Sequence, residues 1–144
     1  MNFYFAYGSN MWAKQMQDRC PHHRLVGLGS LKGYRWIISS RGYANVVKSP
    51  PSMVFGVVYE ISDSDERYLD RYEGVACGSY RKALLSVEVG DSFRSCLVYI
   101  DSIEDEGLPK AEYINRINMG IEDARLPPGY VQHSIRRFVP DCCA

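Results

Sequence analysis

One acidic residue of the chain, Glu73, occupies a position where acids are uncommon. The stretch Leu69-Asp70-Arg71-Tyr72-Glu73-Gly74-Val75 predicts a helix that ends at Gly74, because glycine favours the first position beyond a helix. The free carbonyl groups of a helix C-terminus disfavour a nearby carboxylate. Together with burial against Tyr72 and Val75, they would raise the pKa of Glu73 towards the range useful for general acid–base catalysis. An exposed glutamate without a catalytic role would fit the same pattern.

A second candidate is the turn Ala6-Tyr7-Gly8-Ser9-Asn10-Met11, at the predicted junction of a strand and a helix. Gly8 permits a tight backbone path, and consecutive N–H groups at a helix N-terminus can converge on an anion. A purely structural turn, in which Asn10 caps the helix, explains the same residues. The residues alone therefore predict an anion-binding turn and one unusual acid, without specifying a reaction.

Other kinds of catalytic or binding site find little support. His22, His23 and His133 lack the i, i+4 spacing of a helical zinc pair, so we expect no metal site. The glycines of Gly27-x-Gly29-x-x-x-Gly33 miss the dinucleotide fingerprint by one residue. The sequence contains no phosphate-binding loop, serine nucleophile elbow or set of kinase motifs. A cysteine–histidine pair stays open, since its members meet in space rather than in sequence.

Length and charge limit the class of protein. The 144 residues suffice for a single domain, which we expect to span residues 1–144. A chain of this size buries enough surface on folding to need no metal or disulfide. Its 17 basic and 17 acidic residues cancel, so we expect neither a nucleic acid nor an anionic membrane as partner.

The sequence predicts a cytoplasmic protein. No apolar run is long enough to span a membrane, and the N-terminus does not resemble a signal peptide. The five cysteines are odd in number and lack C-x-x-C spacing, which favours free thiols in a reducing compartment. The terminal Cys142-Cys143 pair, followed by Ala144, does not match a prenylation box.

The sequence predicts an irregular alternation of strands and helices around Glu73 and the turn at residues 6–11. A buried strand at Phe3–Tyr7 leads into the turn, and a short helix follows from Met11 to the residue before Pro21. Later strand-like runs are separated by glycines and by Pro50-Pro51. These runs cover residues 24–31, 34–39, 44–48 and 54–61.

The second half of the chain adds two or three helical segments and a hairpin. Ser62 is a predicted N-cap for the helix that ends at Gly74, and Gly90-Asp91-Ser92 joins two strands at residues 81–89 and 93–100. Apolar residues then recur at helical spacing from Tyr113 to Ile121 and again from Val131 to Phe138. Six or seven short strands with two or three helices predict an α+β fold with a small, mixed, strongly curved, barrel-like sheet.

The ordered motifs of the chain resemble those of the gamma-glutamylcyclotransferase family. The segment from Phe5 to Met11 is similar to the family's Y-G-S-N turn, and Val54-Phe55-Gly56-Val57-Val58-Tyr59 to its G-V-V-[WY] strand. The stretch around Glu73, followed by Gly78-x-Tyr80, is similar to the segment that holds the family's catalytic glutamate and a pocket tyrosine. Met119-Gly120 and then Leu126-Pro127-Pro128-Gly129-Tyr130 resemble its C-terminal signature, with Arg125 where the family usually has glycine.

This resemblance implies a small curved β-barrel with flanking helices and a reaction without a cofactor. In the family, the α-amino group of the substrate attacks its own γ-glutamyl carbonyl, which yields 5-oxoproline and a free amine or amino acid. Glu73 would be the acid–base residue and Tyr80 the pocket tyrosine. The turn that binds the α-carboxylate of a small γ-glutamyl substrate would consist of Tyr7, Gly8, Ser9 and Asn10.

Several assignments stay open at this point. A non-catalytic module could use the same fold to bind a small acidic ligand, and a thiol enzyme could use Cys77, four residues after Glu73. Tyr99 lies near the position of a second pocket tyrosine of some family members, whereas Arg35 and Arg41 are expected to be solvated. The released amine could belong to an amino acid, a polyamine, a lysine-type isopeptide or a biosynthetic protecting group. The sequence leaves the oligomeric state and the role of Cys142-Cys143 undetermined.

Overall fold

A computed structural model describes residues 2–141, so the predicted features of Cys142-Cys143 lie outside the described residues. Five strands form one closed barrel in the order β1-β3-β2-β4-β5. Neighbouring strands are antiparallel, except that β1 runs parallel to β5 and closes the barrel. The strands are β1 (Asn2–Ala6), β2 (Arg24–Ile38), β3 (Ala44–Ile61), β4 (Tyr80–Val89) and β5 (Ser92–Asp101). The predicted α+β fold with a closed, mixed sheet is confirmed.

Helical segments pack around the barrel. No helix in the described part of the chain is long and apolar enough to cross a membrane. Short 3₁₀ turns follow β1 at Ser9–Met11 and α2 at Val75–Cys77, and a π-helical stretch at Val131–Ile135 continues α4. The helices are α1 (Ala13–Arg19), α2 (Asp63–Tyr72), α3 (Ala111–Ala124) and α4 (Pro128–Tyr130).

The predicted number of strands was too high. The runs 24–31 and 34–39 belong to one strand, β2, and the runs 44–48 and 54–61 belong to β3. Lys32 pairs with Met53 whereas Tyr34 pairs with Lys48, so the register shifts where Gly33 and Pro50-Pro51 interrupt the pattern. Gly33 has a φ of +87°, which glycine adopts readily. The sheet therefore bulges at these residues and continues beyond them.

Helix α2 begins and ends where the sequence predicts. The Ser62 hydroxyl accepts a hydrogen bond from the Asp65 N–H (3.1 Å), and the Asp65 carboxylate accepts one from the Ser62 N–H (3.3 Å). This reciprocal capping box fixes the first turn. At the other end Glu73 is the C-cap residue, and Gly74 follows in the left-handed conformation with a φ of +64°. The backbone thus places Glu73 at the last turn of α2.

Helix α3 packs closely against the turn that follows β1. A Cβ atom on Gly120 would lie 3.0 Å from the Met11 Cβ, so the glycine of the Met119-Gly120 pair permits this approach. The helix ends at Arg125, which has a φ of 52° and is the one non-glycine with positive φ among residues 2–141. Glycine favours such a C-terminal position, which accounts physically for the glycine that the resemblance leads one to expect there.

Candidate active site

A cavity of about 310 Å³ lies where the turn after β1, the end of α2, the start of β4 and helix α3 meet. All six residues that the sequence singles out contribute to its wall, although they are far apart in the chain. They are Tyr7, Gly8, Ser9, Asn10, Glu73 and Tyr80.

The turn is held in place by hydrogen bonds from its own side chains. Ser9 and Asn10 are buried, and the Gln15 side-chain amide donates to the Ser9 hydroxyl (2.7 Å) and to Asn10 Oδ1 (2.8 Å). Asn10 Nδ2 donates to the Tyr4 hydroxyl (3.0 Å). The prediction that Asn10 caps the first helix is wrong, because these bonds occupy its side chain and α1 begins later, after Trp12.

The backbone of the turn has its carbonyl groups bound and its N–H groups available. The Tyr7 carbonyl accepts a hydrogen bond from the Trp36 indole (2.8 Å), and the Asn10 carbonyl accepts one from the Tyr59 hydroxyl (2.9 Å). Within residues 2–141, no group accepts a hydrogen bond from the N–H of Gly8 or of Asn10. Available N–H groups on the wall of a cavity are suited to binding an anion such as a carboxylate.

Glu73 is the one acid among the described residues that line the cavity. It is partly buried, and no donor within residues 2–141 forms a hydrogen bond to its carboxylate. Burial raises the pKa of Glu73 from its usual 4.5 to about 7, while the positive charge of Arg19 partly opposes the rise. Near neutral pH this carboxyl can therefore take up and release a proton.

Tyrosine side chains make up much of the remaining wall. The Tyr80 hydroxyl donates to the Ala44 carbonyl (2.8 Å), and the Tyr99 hydroxyl donates to Asp70 Oδ1 (2.7 Å). Tyr99, which the resemblance placed near a second pocket tyrosine, does line the cavity. Burial raises the pKa of Tyr113 to about 12 and that of Tyr80 further, so these hydroxyls stay neutral when Glu73 titrates.

Sequence reasoning missed the cations of the cavity. Arg19, Arg41 and Arg116 contribute to the wall. Arg41 was expected to be solvated, but its Nε lies 3.2 Å from a carboxylate oxygen of the fully buried Asp101. Arg35 is exposed to a similar degree, but it pairs with Glu106 at 2.7 Å and is not part of the cavity wall. No local pattern marks Arg41, because its partner is distant in sequence. With one acid and three arginines, the cavity attracts anions.

The residues of the thiol alternative lie elsewhere. Cys77 is exposed in the 3₁₀ turn that follows Glu73, and it is not part of the cavity wall. No histidine within residues 2–141 lines the cavity, so a cysteine–histidine pair is not assembled there.

Comparisons with known proteins agree with the fold. The sequence model of the AIG2-like family matches residues 53–133. A gamma-glutamylcyclotransferase of Homo sapiens is 26% identical over 149 residues, which cover 96% of this chain and 79% of the human protein. The putative gamma-glutamylcyclotransferase YkqA of Bacillus subtilis is 33% identical over 83% of this chain and 46% of its own length. A solved structure titled gamma-glutamyl cyclotransferase superimposes with a TM-score of 0.84 at 26% identity, covering 91% of this chain and 84% of that one.

Proposed function

We propose that this chain, which belongs to the AIG2-like, gamma-glutamylcyclotransferase family, converts γ-glutamyl amides or γ-glutamyl amino acids to 5-oxoproline and a free amine. The observation that carries the proposal is the pairing of two groups in one cavity. Glu73 has a pKa near neutrality, and the turn at Gly8–Asn10 offers N–H groups without acceptors. An acid–base group opposite an anion site is what this reaction requires.

The turn would bind the glutamyl α-carboxylate of the substrate. The N–H groups of Gly8 and Asn10 supply donors, and Arg19 and Arg41 add positive charge to the same cavity. With this carboxylate fixed, the proposal places the neighbouring α-amino group within reach of Glu73, which lines the same cavity. The attacking nitrogen and the γ-carbonyl carbon then need to approach to about 3–3.5 Å, which makes the reaction a matter of positioning.

Glu73 would transfer protons in two steps. Its carboxylate first takes a proton from the α-ammonium group and releases it to solvent, which leaves a lone pair on nitrogen to attack the γ-carbonyl carbon. A carbon–nitrogen bond forms and the five-membered ring closes, so the ring nitrogen carries two hydrogens and a positive charge. The Glu73 carboxylate takes one of these protons and gives it to the departing nitrogen as the original amide bond breaks. The products are 5-oxoproline and the free amine, the carboxylate is regenerated, and the proton first released balances the positive charge of the substrate ammonium.

The test is the release of 5-oxoproline from a panel of γ-glutamyl compounds, measured by chromatography. Glu73→Gln keeps the size of the side chain but removes the titrating proton, so we expect a loss of roughly 100-fold or more in kcat. Glu88→Gln is the matched control, because Glu88 is a surface residue on β4 whose nearest cation, Lys32, lies 3.9 Å away.

Two results would contradict the proposal. A Glu73→Gln protein that turns over at the wild-type rate would remove the acid–base role. A wild-type protein that releases no 5-oxoproline from any compound, but gains thermal stability from one of them, would instead be a non-catalytic binding module.

A further inference from the structure

Arg19, the last residue of α1, contacts both halves of the cavity. Its Nη1 donates a hydrogen bond to Asn10 Oδ1 at 3.2 Å. Its guanidinium carbon lies 4.4 Å from the centre of the Tyr72 ring, and Tyr72 directly precedes Glu73. One side chain therefore joins the turn to the end of the helix that carries the acid.

The chemistry of arginine suits this double contact. A guanidinium group is planar, so one face can stack on an aromatic ring while the N–H groups at its edge donate hydrogen bonds. A lysine ammonium group is a compact point charge and lacks this combination. Tyr72 is 58% exposed, so it has little other packing to hold it. The stack on Arg19 is thus one restraint on the Tyr72 ring.

We propose that Arg19 is a positioning residue, which ties the Gly8–Asn10 turn to the end of α2 and thereby holds the Glu73 carboxylate opposite the anion site. The role of Arg19 in catalysis rests on the proposed function, whereas its contacts with Asn10 and Tyr72 do not depend on it. Tyr4, Tyr7, Tyr80 and Tyr113 also face Glu73 as neutral hydroxyls, and Arg41 and Arg116 are the other cations of the cavity. Arg19 is the cation that lowers the pKa of Glu73.

Two substitutions separate the charge of Arg19 from its geometry. Arg19→Lys keeps the charge but cannot stack and donate together, so we expect the Glu73 titration to stay near its wild-type midpoint while kcat falls roughly 10-fold. Arg19→Gln removes the charge as well, so the titration midpoint rises and kcat falls at least as far. The midpoint is read from the ¹³C NMR signal of the Glu73 side-chain carboxyl, assigned by its loss in Glu73→Gln.

The chain offers a matched control on α2, the helix that carries Tyr72 and leads to Glu73. Arg71 stacks on Tyr68 at 5.6 Å, and neither residue lines the cavity. Arg71→Gln therefore removes the same charge and a similar contact, and it should leave kcat and the Glu73 midpoint unchanged. Tyr72→Leu removes the ring while keeping Arg19, and it should reproduce the kcat loss of Arg19→Lys.

The proposal is overturned if Arg19→Lys, Arg19→Gln and Tyr72→Leu all behave like Arg71→Gln. Should Arg19→Gln fail to fold, Arg19→Lys and Tyr72→Leu still decide the question. If the wild-type protein shows no turnover, the proposed function fails by itself. The tie is then tested without turnover by the NMR signals of the Tyr72 ring, which lies 4.4 Å from the Arg19 guanidinium, and ring signals that are unchanged in both Arg19→Lys and Arg19→Gln would overturn it.

Discussion

The two halves of the cavity are built in opposite ways. In the turn, the side chains of Ser9 and Asn10 are buried and bound by Gln15, and the carbonyl groups of Tyr7 and Asn10 accept hydrogen bonds from barrel side chains. Glu73, in contrast, is partly buried without a hydrogen-bond donor from residues 2–141. A site that binds a constant charge gains from being preorganised. A group that must change its charge is left unsatisfied, because strong donors would keep it ionised.

This difference predicts that the acid destabilises the protein when it ionises. Burial raises the pKa of Glu73 from 4.5 to about 7, so ionising it costs the folded state roughly 3 kcal/mol. Below pH 4.5 the carboxyl is protonated in the folded and unfolded chains alike. Between pH 4.5 and 7 the unfolded chain ionises first and stability falls, and above pH 7 the loss is complete.

Glu73→Gln should therefore stabilise the protein at high pH, which is the largest effect we expect on folding. Relative to wild type, the gain in the free energy of unfolding should rise from pH 4.5 to pH 7 and level off at roughly 3 kcal/mol. Urea unfolding at a series of pH values measures it. The control Glu88→Gln should show no such rise, and a gain that does not vary with pH would mean that ionisation of Glu73 is not its cause.

A substitution that disturbs the Gly8–Asn10 turn should lower the activity without changing the titration of Glu73. A Cβ atom on Gly8 would lie 2.9 Å from the Tyr113 hydroxyl and 3.3 Å from the Ala44 Cβ, so Gly8→Ala must displace the turn, the Tyr113 side chain or both. We expect kcat/KM to fall roughly 10- to 100-fold, because small misplacements of a bound substrate are costly. The pH midpoint of Glu73 should stay where it is.

A second substitution sharpens this result. Tyr113→Phe removes the hydroxyl that the new methyl group would meet, so the double variant Gly8→Ala/Tyr113→Phe should recover part of the lost kcat/KM. A double variant no better than Gly8→Ala alone would show that the turn is disturbed by something other than this contact.

Substitution of Tyr80 should have the smallest effect on activity, since Tyr80 is part of neither the preorganised turn nor the titrating acid. Its hydroxyl donates to the buried carbonyl of Ala44, whose own N–H faces the Tyr113 hydroxyl at 3.4 Å. Tyr80→Phe leaves that carbonyl without its donor, which should lower the free energy of unfolding by about 1 kcal/mol. We expect kcat/KM to fall no more than about 10-fold. Tyr68→Phe, outside the cavity, is the control, and a loss matching that of Glu73→Gln would give Tyr80 a direct role in the chemistry.

The sequence predicted what local chemistry determines. The Ser62 cap, the end of α2 at Gly74 and the β4–β5 hairpin each depend on a few neighbouring residues, and the structure has all three. The predicted cap at Asn10 failed because hydrogen bonds with Tyr4 and Gln15, six and five residues away in the chain, occupy its side chain. The arginines of the cavity were missed for a different reason, which is distance along the chain. Arg41 and its partner Asp101 are brought together only when the barrel closes, and no spacing in the sequence encodes that contact.

The way in which the barrel closes also affects local unfolding around the cavity. Ten residue pairs join β4 to β5, but only two pairs attach this hairpin to β2 and two attach it to β1, whereas thirteen join β2 to β3. Few ladder hydrogen bonds therefore hold the hairpin to the rest of the barrel, and the buried side chains of β5 from Cys96 to Ile100 add to the attachment. Native-state hydrogen exchange tests whether the hairpin opens as a unit before the other strands. If the hairpin opens first, Tyr80 and Tyr99 leave with it, and the wall of the cavity is lost while β2 and β3 stay paired.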